Sequence, residues 1–581
     1  MKVSTILLTF FVACISYGCH DLIDESLKEQ PPHLITATTL YNNLSGFEAG
    51  LNGLYAEVRR EREGISTATD LTLGLMINGT DDFVTNSLNG TGAGTVFVEW
   101  TKGLSTPIYD YYGQIFDWLY SIVNTSNTIL NRAENPQVDW TGKGHPEMEN
   151  KNRVLAEARF ARAWAYRHLT YGWGDVPLNL EESRGSQIRT DWVRTPVREV
   201  REQIISDFLF ATEHLDVEAS IAGRPTLGAA SHYLAEMYLA LDGEYPPSSA
   251  NVEQSLHWSD AVIEEPAYKL ITERYGVSSN EPGVVYMDMF YDGNANREEG
   301  NTESLWTFNF ELYKRGSLGG GNLNIMRRTI QSRYGQYRLE GVIPLQYTRA
   351  RGGRGQSRFS ISKHALELFE PQDDRFSPHA MATFMILRKE EDFTTADGRF
   401  IKGNSPDVSD IPPPGYEFGD TIRLSYDVPI SPDNWNVLNW PWPRKVEGAD
   451  PLDPVSSFQG NDIPYLRLAE TYLLKAEAEY LLGNTEAAAE ALNTIRRRSN
   501  ASEITPAAID LDFILDERTR ELVAEEHRRW TLLRTGKWME RTRLHNTHGG
   551  WNITETDLLF PIPQHVIDAN LTRQMPQNPG Y

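Results

Sequence analysis

Cys14 and Cys19 are the only two thiols among 581 residues, and both lie at the end of one apolar run. Lys2 gives that run a positive start, Val3 to Ile15 is apolar apart from Ser4, Thr5 and Thr9, and Gly18 sets a small residue directly before Cys19. This is the order an exporting peptidase reads, and the run is too short to span a bilayer. Cleavage after Gly18 discards Cys14 and leaves Cys19 at the head of the mature chain, where its thiol can be acylated, as in the lipobox of bacterial lipoproteins. Cys19 is the expected lipidation site, residues 1–18 are the expected signal peptide, and no disulfide remains to brace the mature chain.

The other candidate groups lack catalytic spacing. HExxH, GxSxG and a phosphate loop ending in GKS or GKT are missing from the sequence. His545 and His548 form an HxxH with no third ligand nearby in sequence, which reads as loop. Neighbouring carboxylates such as Asp81–Asp82 and Asp373–Asp374 are expected by chance among 80 acidic residues, so they do not mark an acid–base pair. No enzymatic activity, cofactor or metal is expected. A structural calcium ion stays open, since no DxDxDG loop is present while scattered carboxylates and carbonyls can still supply oxygens. The net charge of −25, or −26 once Lys2 is lost, disfavours nucleic acid as a partner.

Aromatic residues are the better candidates for binding, with 14 Trp, 26 Tyr and 22 Phe in the chain. A sugar ring presents a flat C–H face that packs on an aromatic ring, while Asn, Asp and Arg satisfy its hydroxyls. The rings in irregular stretches are Phe83 beside Asp81, Tyr313 ahead of a Gly-rich loop, Tyr334 and Tyr337 near Arg333 and Arg338, and Trp435, Trp440 and Trp442 in WNVLNWPWP. Arg349, Arg351, Arg354 and Arg358 concentrate positive charge in an acidic chain, either as a solvated face or as a contact for an anionic substrate or acidic partner. Arg351 joins the candidate ligand residues on that ground. For each ring singly, packing of its own segment competes with ligand contact.

The elements that must position these residues are mostly helical. VLAEARFARAWAYRHLTYGWGDVP (154–177) keeps a helical face of Leu155, Ala158, Ala165 and Leu169 and stops at Gly172, Gly174 and Pro177. Residues 196–215 form another candidate helix. Residues 465–499 read as a helix pair, with a turn at Gly483 and Asn484 and small residues at the crossing, close to a tetratricopeptide unit of about 34 residues. A similar pair falls near 226–265. The spacing predicts a single helix over 514–534, with Glu525 meeting Arg529 one turn later. Residues 276–458 are broken by Gly, Pro, Asn and Asp, as in IPPPGYEFGDT, and read as an irregular lobe devoted to ligand or partner contacts.

Five ordered stretches together resemble the SusD/RagB family of outer-membrane lipoproteins from Bacteroidetes. They are FEAGLNGLYAEVR (47–59), AEARFARAWAYRHLTYGWGDVPL (156–178), RLAETYLLKAEAE (467–479), DERTRELVAEEHRRWTLLRTGKW (516–538) and LFPIPQHVIDANLTRQMPQNPGY (559–581). The resemblance implies a mainly α, SusD-like fold: a tetratricopeptide-like scaffold of helix pairs with a loop-rich lobe carrying a few short strands. The implied domains are a tether at 19–45 and one SusD-like domain at 46–581. Within it, 46–275 and 459–545 are mainly helical scaffold, 276–458 the lobe and 546–581 a docked tail. It also implies a lipid-anchored protein of the outer membrane, facing the cell exterior, that captures oligosaccharides and passes them to a SusC-like TonB-dependent transporter. Capture of peptides by the same kind of lid, and a hydrolase within the lobe, are the other readings.

Overall fold

A computed structural model describes residues 37–64, 71–85, 100, 106–183, 189–311, 324–348, 351–389, 409–426, 438–448 and 459–581. Cys19, Tyr313 and Trp435 lie outside the described residues.

The scaffold is a run of helices in which chain neighbours are also spatial neighbours: α1 (Leu44–Glu63), α2 (Thr106–Arg132), α3 (Glu147–Trp173), α4 (Val197–His214), α5 (Leu227–Ala240) and α6 (Ser249–Ile263). Each start has a local cause. Asn43 accepts a hydrogen bond from Gly46 N at 2.9 Å and Thr226 one from Ala229 N at 3.2 Å, satisfying donors that have no intrahelical partner. Helix α3 carries Ala156, Ala158, Ala161, Ala163 and Ala165, which let α1, α2 and α4 approach it closely; from Ala156 onward it is buried on almost every side rather than on one face. It stops at Gly174, whose φ of 71° lies in the left-handed region that a side chain disfavours.

The stack continues across a large gap in sequence. Helix α7 (Leu468–Leu481) packs against α6 and pairs with α8 (Thr485–Arg498) and α9 (Leu511–Leu522), so residues 276–458 are inserted between two helices that touch. The α7–α8 pair turns at Gly483 (φ 83°), as its sequence predicts.

The helix predicted over 514–534 is two. Helix α9 ends at Leu522, Ala524 takes a φ of 69°, and α10 resumes at Arg528–Arg534. The break redirects Glu525, which bonds Arg467 Nε at 2.6 Å and Lys445 Nζ at 2.5 Å instead of meeting Arg529. Arg529 instead packs over Trp538 (4.3 Å) and Phe560 (4.5 Å).

The described lobe has only two-stranded antiparallel ladders. Strand β1 (Phe83–Thr85) pairs with β3 (Phe359–Ile361), β2 (Ser304–Phe308) with β8 (Ile463–Arg467), β4 (Met381–Ala382) with β7 (Trp442–Pro443), and β5 (Phe384–Ile386) with β6 (Thr421–Arg423). Lobe and scaffold are locked by buried ions. Arg375 bonds Asp373 (2.8 Å), Glu517 (2.8 Å) and Glu521 (3.2 Å), and Arg467 bonds Glu303 (2.6 Å), Glu521 (3.0 Å) and Glu525 (2.6 Å). Each carboxylate meets at least one guanidinium, the condition under which buried charge is tolerated.

The tail from residue 559 onward is docked. Phe560 N donates to Gly172 O at 2.7 Å, and its ring sits against Tyr112, Trp173 and Trp530. Asn578 Nδ2 donates to Trp173 O (3.1 Å) and Phe560 O (2.7 Å).

Candidate ligand site

Most of the rings singled out from sequence form the lobe's core, which corrects their assignment as ligand contacts. Phe83 is 1% exposed and meets Phe359 edge-on. Tyr334 is 0% exposed, donates its hydroxyl to Gly353 O at 2.9 Å and stacks on Trp442. Trp440 and Trp442 are buried and spend their Nε1–H on Ile361 O (2.7 Å) and Glu447 Oε1 (2.8 Å). Short ladders cannot bury enough surface alone, so the bulky rings fill the gaps between them. Asp81 is likewise internal, held by Arg528 (2.7 Å) and Arg541 (2.6 Å). Burial alone would raise its pKa, but the two guanidiniums overcome that and hold it far below the carboxylate range.

Two candidates stand apart from these buried rings. Tyr337 is half-buried with Tyr416 as its neighbour. Arg351 lines a cavity of about 550 Å³, a volume typical of small-molecule sites. The cavity walls come from five separated segments of the lobe: Tyr291 and Phe290, Arg351 and Gly352, His379 with Phe384 to Arg388, Arg444 with Glu447, and Asn461.

Its polar groups are held in place by the fold. Arg444 Nη1 donates to Glu447 Oε1 (2.8 Å) and its Nε to Pro378 O (2.7 Å). Burial, then Arg444 and Arg274, lower the pKa of His379, which favours the neutral imidazole and leaves a ring nitrogen to accept a hydroxyl proton. Arg351 is fixed by Asp410, and Asp410 also accepts from Arg388 N (2.8 Å) and Gln346 N (3.0 Å). This carboxylate straps the loop 409–420 against β5. The loop then offers Tyr416 and Phe418, 36% and 40% exposed, with Lys389 Nζ 5.8 Å from the centroid of the Phe418 ring. Ring faces beside fixed donors and acceptors can hold a polyhydroxylated ligand; no sequence spacing linked the five segments, although IPPPGYEFGDT did carry the two exposed rings.

Glu61, His168 and His527 are the one group among the described residues whose donor atoms come within metal-binding reach, all within 4.8 Å of one another. Their hydrogen bonds fit a protein network instead. Trp530 Nε1 donates to His168 Nδ1 at 3.1 Å, which leaves the proton on Nε2. Glu61 is already engaged by Arg62 (3.0 Å), Tyr465 (2.8 Å) and His527 (2.9 Å). A second cavity, of about 490 Å³, lies beside the tail, but Arg194 there is spent on Asp175 O and Trp173 O and Arg201 on Ala240 O. His548, expected in a loop, is buried and bonds Thr85 O at 3.0 Å.

Stacked helix pairs bearing an inserted, loop-rich lobe with a ring-lined cleft define a tetratricopeptide-like helical protein. The chain belongs to the SusD family, whose model matches residues 288–581; a second model, described as starch-binding associating with outer membrane, matches residues 46–239. A SusD-like protein of Formosa agariphila is 24% identical over the whole of both chains. The starch-binding protein SusD of Bacteroides thetaiotaomicron is 35% identical over 134 residues, 22% of this chain and 23% of that one. In fold, the chain resembles surface glycan-binding protein A from Bacteroides thetaiotaomicron, solved in complex with laminarihexaose, with a TM-score of 0.65 and 18% identity over 92% of this chain and 99% of that chain.

Proposed function

We propose that this protein is an outer-membrane lipoprotein that captures an oligosaccharide on the lobe face formed by the cavity and the Tyr416–Phe418 loop, and delivers it to a SusC-like TonB-dependent transporter. The observation that carries the reading is the cleft itself: Tyr291 and Phe384 beside Arg444, Glu447, His379 and Asn461 combine ring faces with fixed hydrogen-bonding groups. Relatives named as starch-binding or glycan-binding support the ligand class. Among the described residues no helix is long and apolar enough to cross a membrane; in this reading acyl chains on Cys19 make the attachment.

Affinity electrophoresis of the protein in gels carrying single polysaccharides tests capture. Retardation by at least one of them, weakened by Tyr416→Ala with Phe418→Ala, is expected; retardation by none, with heat released on adding peptides, would replace the glycan by a peptide. Copurification of a large outer-membrane barrel from native membranes tests delivery, and its failure would leave a free-standing binder. Cys19→Ala should move the protein into the soluble fraction.

A further inference from the structure

Residues 324–362 hold eight arginines and one acid, Glu340, in a chain with 80 acidic residues and a net charge of −25. Glu340 is exposed and forms no ion pair among the described residues. The two halves of this basic segment are laid side by side by backbone bonds: Gln356 N to Arg328 O (2.8 Å), Arg358 N to Thr329 O (2.7 Å) and Ser357 N to Gln331 O (2.9 Å). Gln331 Nε2 adds a bond to Arg351 O (2.7 Å) and Tyr334 a bond to Gly353 O (2.9 Å). This register brings Arg333 to the side of Arg354 and Arg358.

Arg351 of the segment is neutralised by Asp410. Arg333 and Arg354 are not: both are half-buried, and neither has a carboxylate partner among the described residues. Arg333 Nε and the Tyr347 hydroxyl, both cut off from solvent, have no hydrogen-bond partner. The groups also sense one another. Burial and then Arg358 lower the pKa of Arg333, with Arg354 acting the same way, while Arg354 and Arg333 act on Tyr347 against the burial that raises it to about 12. Arg333 and Arg354, with no carboxylate partner among the described residues, repel one another, and a buried hydroxyl without a partner costs free energy; a bound oxyanion would relieve both. Planar guanidinium forks match carboxylate and sulfate oxygens in pairs.

We propose that Arg333 and Arg354, flanking the Tyr347 hydroxyl and reinforced by Arg358, bind an oxyanion carried by the captured glycan, so that the substrate is an acidic polysaccharide bearing sulfate esters or carboxylates. This rests on the glycan-capture reading. Place on the fold supports it: Arg354 follows three residues after Arg351 in the cavity wall, and Tyr337, four residues after Arg333, neighbours Tyr416 of the exposed loop. Among the described residues no carboxylate compensates Arg333 or Arg354, and a neutral glycan would supply none.

The experiment is affinity electrophoresis of the whole protein in gels carrying laminarin, starch, polygalacturonate, carrageenan or polyglutamate, at low and high sodium chloride. Retardation by polygalacturonate or carrageenan but not by laminarin or starch is expected, weakening with salt as screening shortens the reach of the guanidiniums. Carrageenan alone would identify a sulfate ester, and polygalacturonate alone a carboxylate. R333Q with R354Q should lower the affinity about tenfold, the loss of one or two charge-assisted bonds, with an unchanged melting temperature; R354Q alone gives the same direction if the pair unsettles the fold. Retardation by laminarin or starch that survives both substitutions would overturn the acidic-glycan site and leave glycan capture standing. Retardation by polyglutamate alone, or by no polymer, would overturn both.

Discussion

Arg351 and Asp410 meet in a buried two-pronged pair, Nη1 2.7 Å from Oδ1 and Nη2 2.5 Å from Oδ2. The same guanidinium donates to Ile386 O at 2.6 Å, so one ion pair joins the basic segment, strand β5 and the loop that carries Tyr416 and Phe418. Asp410→Ala leaves that guanidinium buried without its partner and is expected to cost about 3–5 kcal/mol in urea denaturation. Pairing it with Arg351→Met should recover most of the loss in stability.

Buried and exposed aromatics should separate cleanly. Trp440→Ala and Trp442→Ala remove rings that are 2% and 0% exposed, and each is expected to cost about 3–5 kcal/mol in stability. Tyr416→Ala and Phe418→Ala should leave the melting temperature within about 2 °C, as surface changes do, while weakening glycan retention. A glycan defect without destabilisation in the Trp440 variant would return that ring to the site.

Glu521 accepts hydrogen bonds from Arg467 and Arg498 and pairs with Arg375. Burial would raise its pKa, but Arg498, Arg467 and Arg375 pull it down to about 2. Its folded pKa is thus depressed from an unfolded value of about 4.3, so its contribution is fully present above about pH 5 and is lost as pH falls toward 2. The stability gap between the native protein and Glu521→Gln should be constant from pH 7 to 5 and close as pH falls below 4. Chemical denaturation at these pH values measures it; a gap independent of pH would show that the charge of Glu521 is not what stabilises.

Ala524 occupies the left-handed region at φ 69°. A β-branched side chain is strongly disfavoured there, so Ala524→Val should destabilise by about 2 kcal/mol or more. Val523→Ala next to it, at ordinary φ, should lose only the packing of two methyl groups.

Phe560 anchors the tail among Tyr112, Trp173 and Trp530 at centroid distances of 4.7, 5.3 and 6.1 Å. Phe560→Ala is expected to cost about 3–5 kcal/mol and to expose the tail to limited proteolysis. Intact mass after trypsin treatment reports the release.

The helices were legible because their causes are local. The stop at Gly174, the Gly483 turn and the alanine-rich crossings all act within a few residues of themselves, and a periodic pattern exposes them. The five stretches shared with the SusD family were legible for a related reason: they lie in the scaffold and the docked tail, where packing restricts residue choice. The break at Ala524 was not legible, because Glu525 is claimed by Arg467 and Lys445 from a different part of the chain. Nor was the burial of Tyr334, Trp440 and Trp442, since a ring in a Gly- and Pro-broken segment has the same local signature whether it faces a ligand or fills a gap between two-stranded ladders. The cavity required five segments to converge, and the lack of a carboxylate partner for Arg333 and Arg354 among the described residues depends on where distant acids are placed. Sequence alone thus determined the helical scaffold, its turns and the family, because short-range backbone preferences and periodicity decide them. Tertiary structure alone decided which rings and charges face the ligand, because burial and ion pairing depend on partners that are distant in the chain.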